Sequence, residues 1–169
     1  MDAIEAILSR RSVRAYTAEP VSEQDIETIL HAAMAAPSAG NQQSWRFVVT
    51  ADRAMLDRMA ESTPYGKMLR EAPLAITVCA DTRDLRHPMM WQQDCSNAAE
   101  NALLAIHALD LGAVWLGFWP KMERVEPLRA TLGLPEGIEP LCVLAVGHPA
   151  EGQPSVDRYD ARRVHRDRW

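Results

Sequence analysis

Between Pro88 and about Leu111 the sequence reads as one long helix, and from Ala98 onward it is apolar on almost every side, interrupted by Glu100, Asn101 and His107. A helix that is apolar all round is a buried one. Gly112 stands where such a helix should stop, in the left-handed cap position that glycine favours. A chain of 169 residues fits a single domain over 1–169, large enough to build one core without disulfides or metals.

The flanking segments supply shorter elements. Residues 3–9 place Ile4, Ile7 and Leu8 at helical spacing. Ser22-Glu23-Gln24-Asp25 is a capping-box pattern in which Ser22 and Asp25 satisfy free N–H groups, and the stripe Ile26, Ile29, Leu30, Ala33, Met34 continues the helix until Pro37. The polar loop 37–44 leads into a strand from Trp45 to Thr50. Asp52 caps a helix with Met55, Leu56 and Met59 facing inward. Leu74–Cys79 is an apolar run of the kind found in central strands. After the long helix come a strand over Ala113–Trp119, a helix near Met122–Leu132 closed by Gly133, and a core strand over Leu141–Val146. The order predicts a mixed α/β or α+β layer fold with about four strands, and periodicity leaves their direction open.

The formal net charge of −5 argues against general affinity for nucleic acid or an anionic membrane, both of which need a basic footprint. No apolar run is long enough to span a bilayer, and the opening MDAIEAILSRR is unlike a secretory signal. Cys79, Cys95 and Cys142 are odd in number and scattered, which suits buried small hydrophobes in a reducing cytoplasm. The basic residues are uneven: Arg10, Arg11 and Arg14 cluster at one end, and Arg158, Arg162, Arg163, Arg166 and Arg168 at the other. Planar guanidiniums in such clusters suit a phosphate, although solvated surface is the plain alternative.

Several chemistries lack their motifs. The sequence has no GxSxG nucleophile elbow, no GxxxxGK[ST] loop and no GxGxxG after a strand. Its five histidines lack HExxH or paired Cys/His spacing, so no metal site is expected, and His107 reads as a satisfied core residue. These absences point to chemistry carried by a cofactor.

Two segments carry a resemblance. Arg10-Arg11-Ser12-Val13-Arg14-Ala15-Tyr16 is similar to the opening signature of the FMN-dependent nitroreductase family, and Pro37-Ser38-Ala39-Gly40-Asn41-Gln42-Gln43-Ser44-Trp45 to its Pro-Ser…Asn-x-Gln-x-Trp loop, with Ser44 where many members carry proline. Gly112–Phe118 and the tail after Asp157 resemble two further family segments more loosely. The resemblance implies a nitroreductase-like α+β fold with a mostly antiparallel sheet flanked by helices, and an arginine-rich tail over 155–169 reaching a partner subunit. It implies a homodimer with FMN at the interface, its long apolar helix serving as interface core. Arg10, Arg11, Ser12, Arg14 and Arg158 would surround the FMN phosphate. Pro37, Ser38, Asn41 and Gln43, from the partner, would meet the flavin's polar edge, and the main chain at Leu116 and Gly117 would face N5 and O4.

The family's reaction is ping-pong, with NADH or NADPH reducing the flavin and a nitroaromatic, quinone or similar small-molecule acceptor reoxidising it. No catalytic side chain is required. Trp91, Trp115 and Trp119 are candidates for packing beside the flavin, although a tryptophan in such a place is more often plain core, and Lys67 could reach it from Tyr65–Lys67. Three other readings remain: a flavin-binding sensor with little turnover, other flavin chemistry such as dehalogenation or flavin fragmentation, and a nucleic-acid module that the net charge disfavours.

Overall fold

The computed structural model describes residues 1–169 except Gln153 and Ser155, so the predicted tail is described from Val156 onward. Its helices are α1 (Ala3–Ser9), α2 (Glu23–Met34), α3 (Arg53–Glu61), α4 (Trp91–Ala108) and α5 (Met122–Leu132). The strands are β1 (Trp45–Thr50), β2 (Leu74–Asp81), β3 (Gly112–Gly117) and β4 (Ile138–Gly147).

Three helices begin where a side-chain oxygen is at hand for a free backbone N–H. Asp2 accepts from Glu5, Ser22 from Asp25 and Asp52 from Met55, at 2.9, 3.1 and 2.8 Å. The capping box is only half formed, because the Asp25 carboxylate takes the Ser22 hydroxyl at 2.7 Å instead of the Ser22 backbone. Gly133 closes α5 in the left-handed conformation, as expected.

The strands form one sheet in the order β1-β2-β4-β3, every neighbouring pair antiparallel. Side-chain alternation divides the core between its faces. Ile76, Val78, Leu144 and Val146 pack against α2 and α4, while Ala75, Val114, Val143 and Ala145 pack under α3 and α5. β4 starts earlier than predicted, and its Pro140 is opposite Cys79 where the register shifts. An irregularity is where a central strand can accept a residue without an N–H.

Two expectations about the helices are corrected. The long helix ends at Ala108, and Asp110, with φ +60°, makes the left-handed turn assigned to Gly112. Gly112 instead opens β3, where a Cβ would come within 2.7 Å of Val13. Nor is α4 buried all round. Trp91, Cys95, Ala98, Ala102 and Ile106 face the core, whereas Leu104 and Ala105 are half-buried and Ala108 is exposed. In α1 the apolar stripe faces outward: Ile4, Ile7 and Leu8 are 65%, 53% and 67% exposed, and Ala6 alone is buried.

All three cysteines are buried and unpaired, and burial pushes the thiols of Cys79 and Cys95 up to about 12. His107 pairs with the Ser9 hydroxyl at 2.7 Å and so ties α1 to α4. No helix among the described residues is long and apolar enough to cross a membrane, and none of their His, Cys, Asp and Glu side chains group into a metal site.

Candidate functional site

The arginine segment lies along the free edge of β3. Ser12 pairs in parallel with Ala113, and the Val13 N–H donates to the Ala113 carbonyl at 2.9 Å. Tyr16 anchors the segment, its buried hydroxyl donating between the carbonyls of Val13 (2.6 Å) and Ala145 (2.9 Å). Burial raises its pKa above the ordinary phenol value, so it stays a donor.

The three guanidiniums have different fates. Arg10 meets Glu100 at 3.4 Å, and both side chains keep access to solvent. Arg11 is committed to main-chain carbonyls, donating to Leu8 and Arg10 on one side and to Pro154 and Val156 on the other. Those bonds tie the start of the tail to α1, and they place Arg158 in a hollow with Ile7, Leu8 and Arg11. Arg14 is exposed, with one long contact of 3.5 Å to the Ser12 carbonyl. Among the described residues the Ser12 hydroxyl has no hydrogen-bond partner.

The polar loop is held by a residue that sequence patterning passes over. Asp94, in the first turn of α4 and 2% exposed, accepts the Ala39 N–H at 2.8 Å and the Gln42 side-chain amide at 2.7 Å. Gln42 is also clamped to His87, accepting its N–H at 3.0 Å and donating to its carbonyl at 3.2 Å. With the backbone pinned, Gly40, Asn41 and Gln43 all take positive φ, a conformation that persists only where surrounding contacts over-determine it. Ser38 Oγ accepts the Gln43 N–H at 3.1 Å, and Asn41 Oδ1 accepts the Gln43 amide at 2.8 Å. Asn41 and Gln43 are thus exposed and mutually oriented, next to Pro37, whose carbonyl faces Asn97.

At the end of β3, Leu116 is buried and Gly117 is exposed. A Cβ on Gly117 would meet nothing closer than Trp115 Nε1 at 3.9 Å, and its φ lies outside the left-handed region. Neither packing against the described residues nor backbone geometry requires glycine there. Its bare backbone is suited to a flat group lying against it. Buried Trp91 meets half-buried Trp119 edge to face at 5.1 Å at the margin of the core, and Trp115 is half-buried beside the strand end. Lys67 is exposed in the turn that follows Tyr65 and Gly66.

Strand order and register put these parts far apart. Trp45, Asp81, Ile138 and Gly117 mark one end of the sheet, and Thr50, Leu74, Gly147 and Gly112 the other. The polar loop enters at the β1 edge of the first end, whereas Ser12 sits beside β3 at the second. Three strand spacings, about 14 Å, and the length of β3, about 17 Å, separate these diagonal corners. One chain therefore does not bring Arg10, Ser12 and Arg14 together with Ser38, Asn41 and Gln43, while Leu116 and Gly117 share the β3 edge with the first group.

An antiparallel sheet covered by helices on both faces, with an arginine segment on its edge strand and a polar loop at the opposite corner, defines the protein as one of the α+β class. Residues 7–64 and 61–148 match the model of the Nitroreductase family, and the chain belongs to that family.

A protein of Archaeoglobus fulgidus, provisionally named as an NADH dehydrogenase/NAD(P)H nitroreductase, is 46% identical over 172 residues, spanning 99% of each chain. The FMN-dependent nitroreductase of Clostridium difficile R20291 superposes with a TM-score of 0.92 at 28% identity, covering 98% of this chain and 99% of that one. A provisionally named nitroreductase from Desulfovibrio desulfuricans, crystallised with FMN, is 36% identical with a TM-score of 0.87, covering 100% and 99%.

Proposed function

We propose that the protein is an FMN-dependent oxidoreductase, active as a homodimer, that draws electrons from NADH or NADPH and passes them to a small-molecule acceptor. Gly117 carries the reading, as an exposed glycine at an edge-strand end whose side-chain space no described residue fills. Family membership supplies the group that suits such a surface, and the Desulfovibrio relative holds FMN. Bound FMN would supply hydride acceptance from the nicotinamide and two-electron delivery to a nitroaromatic, quinone or similar acceptor, in ping-pong order.

The chain's own residues bind and orient. Arg10, Arg14 and the unpartnered Ser12 hydroxyl suit the terminal phosphate, with charge-assisted bonds from a planar fork. Arg158 is available to the same anion from beside Arg11, whose own guanidinium holds the tail. Pro37, Ser38, Asn41 and Gln43 of the second copy would offer donors and acceptors to the ring's polar edge, and the Leu116–Gly117 main chain would face N5 and O4. No side-chain acid or base is needed for the first half-reaction.

The outward stripe of Ile4, Ile7 and Leu8, next to a hollow lined by Leu104, Ala105 and Ala108, supports pairing of two chains, because isolated domains rarely leave such contiguous apolar surface bare. Exposed Tyr159, Val164 and Trp169 suit a tail that lies on the partner. Three buried free thiols fit a reducing cytoplasm.

The test is the visible absorbance of the purified protein, repeated without oxygen after adding NADH and then NADPH. A yellow protein that bleaches with either nucleotide is the expected result. A colourless protein that takes up no added FMN refutes the proposal, and a yellow protein that neither nucleotide bleaches moves the function to flavin binding without turnover.

A further inference from the structure

Arg124 and Arg129 are both half-buried on α5, but Arg129 meets Glu139 at 2.6 Å, whereas Arg124 forms no salt bridge among the described residues. It lies in the first turn of α5, and its Nη1 donates to the Gly117 carbonyl at 3.2 Å. The guanidinium carbon lies 5.1 Å from the centre of the Tyr65 ring, a cation–π distance. Its Nε is buried and has no partner. A buried guanidinium N–H left unbonded is costly, and Nε with Nη2 forms the edge of the fork that receives two oxygens at once. The Tyr65 ring lies against this guanidinium, yet it is 62% exposed and, among the described residues, only its backbone is bonded, to Thr63. An exposed ring held by no side-chain hydrogen bond is the part of this contact that can yield.

Resting on the function proposed above, we infer that Arg124 makes the protein selective for acceptors bearing a carboxylate. Gly117 marks where the flavin's reactive edge would lie, and Arg124 is bonded to that residue. An aromatic acid stacked on the flavin would present its carboxylate to the Nε–Nη2 edge once Tyr65 yields. The geometry also suggests why Tyr65 is aromatic: its ring covers the guanidinium while no anion is bound, without supplying a permanent counter-charge.

The experiment uses the flavin-loaded protein and two matched pairs of probes. Benzoate and benzyl alcohol are titrated while flavin absorbance is followed, and 4-nitrobenzoate and 4-nitrobenzyl alcohol are compared as acceptors under NADH. In the wild type, benzoate binds at least about tenfold more tightly than benzyl alcohol, as expected for charge-assisted hydrogen bonds. Arg124→Gln removes that preference and raises KM for 4-nitrobenzoate about tenfold more than KM for 4-nitrobenzyl alcohol. Arg124→Lys retains the charge without the fork and falls between the two, and it serves as the readout should the glutamine variant fail to fold.

The inference is overturned if acid and alcohol weaken equally in both variants, which would make Arg124 a tie between α5 and β3. It is also overturned if only KM for NADPH rises relative to NADH, which would assign the anion to the dinucleotide phosphate. A protein that holds no flavin and takes none up refutes the proposed function itself, whereas a yellow protein indifferent to benzoate refutes this inference alone.

Discussion

Replacing Asp94 by asparagine perturbs the polar loop at one point with almost no change in volume. The carboxylate accepts two hydrogen bonds, from Ala39 N–H and from the Gln42 amide, and is nearly inaccessible to water. Asparagine offers one acceptor and one donor, so in either orientation an N–H faces another N–H. Gln42 cannot turn over to relieve this, because both ends of its amide are engaged with His87.

The loss is one bond to a charged acceptor, about 1.5–3 kcal/mol, with a buried donor left unpartnered at about 1–3 kcal/mol. Relief from burying a charge offsets part of it, leaving roughly 2 kcal/mol net. If the loop stays folded at that cost, Tm falls by about 4–8 °C, at about 2–4 °C per kcal/mol for a chain of this size. If the loop lets go, the same energy appears as about 30-fold weaker FMN binding. Calorimetry and titration of the apoprotein with FMN, followed by flavin fluorescence, distinguish the two. A variant that melts with the wild type and binds FMN as tightly would show that Asp94 does not hold the loop.

Four further outcomes are expected. Arg10→Ala combined with Arg14→Ala gives folded protein depleted in flavin, and full occupancy in that variant would remove the phosphate from this segment. Gly117→Ala leaves the melting of the apoprotein essentially unchanged, since the new methyl meets only Trp115 at 3.9 Å, but weakens FMN binding by about tenfold or more through a clash with the bound ring. Thr77→Val removes a fully buried hydroxyl without a partner and raises stability by about 1 kcal/mol in denaturant unfolding; lower stability would reveal a bonded water. Asp81 responds to pH. The Arg83 side chain, helped by Arg46, holds its carboxyl down at about 2 against an ordinary 3.8. Its folded pKa lies below the unfolded one, so its stabilising contribution is complete above about pH 4 and is lost as pH falls through about 2. The Tm deficit of Asp81→Asn should therefore be present near neutrality and close in strong acid. A gap independent of pH would mean that the ion pairs contribute nothing.

Much of this protein is legible in its sequence because the chemistry involved is local. Ser22, Asp52 and Gly133 mark helix boundaries because a cap acts on its own few neighbours. The strands around Trp45–Thr50 and Leu74–Cys79 are legible because burial on a sheet imposes its own side-chain pattern. The sequences 10–16 and 37–45 show their polar character directly, since a cluster of guanidiniums or of amides and hydroxyls is visible in the residues whatever surrounds it.

Element order, most boundaries and the two polar segments thus follow from the amino acids alone. Which side of each element is inside, and where each functional group is aimed, follows from the packing of the whole chain. The α1 stripe has a helix's period yet faces outward, because periodicity records that a face is apolar and not what covers it. Asp110 rather than Gly112 turns the chain after α4, since Val13, a distant residue, lies against position 112. Asp94 reaches the loop across 55 residues, and Arg11 reaches the tail across more than twice that. The diagonal separation of the two polar segments follows from strand order and register, which depend on contacts between segments far apart in the chain. Local sequence sets propensities over a few residues, and only the closed fold fixes which distant partners those propensities meet.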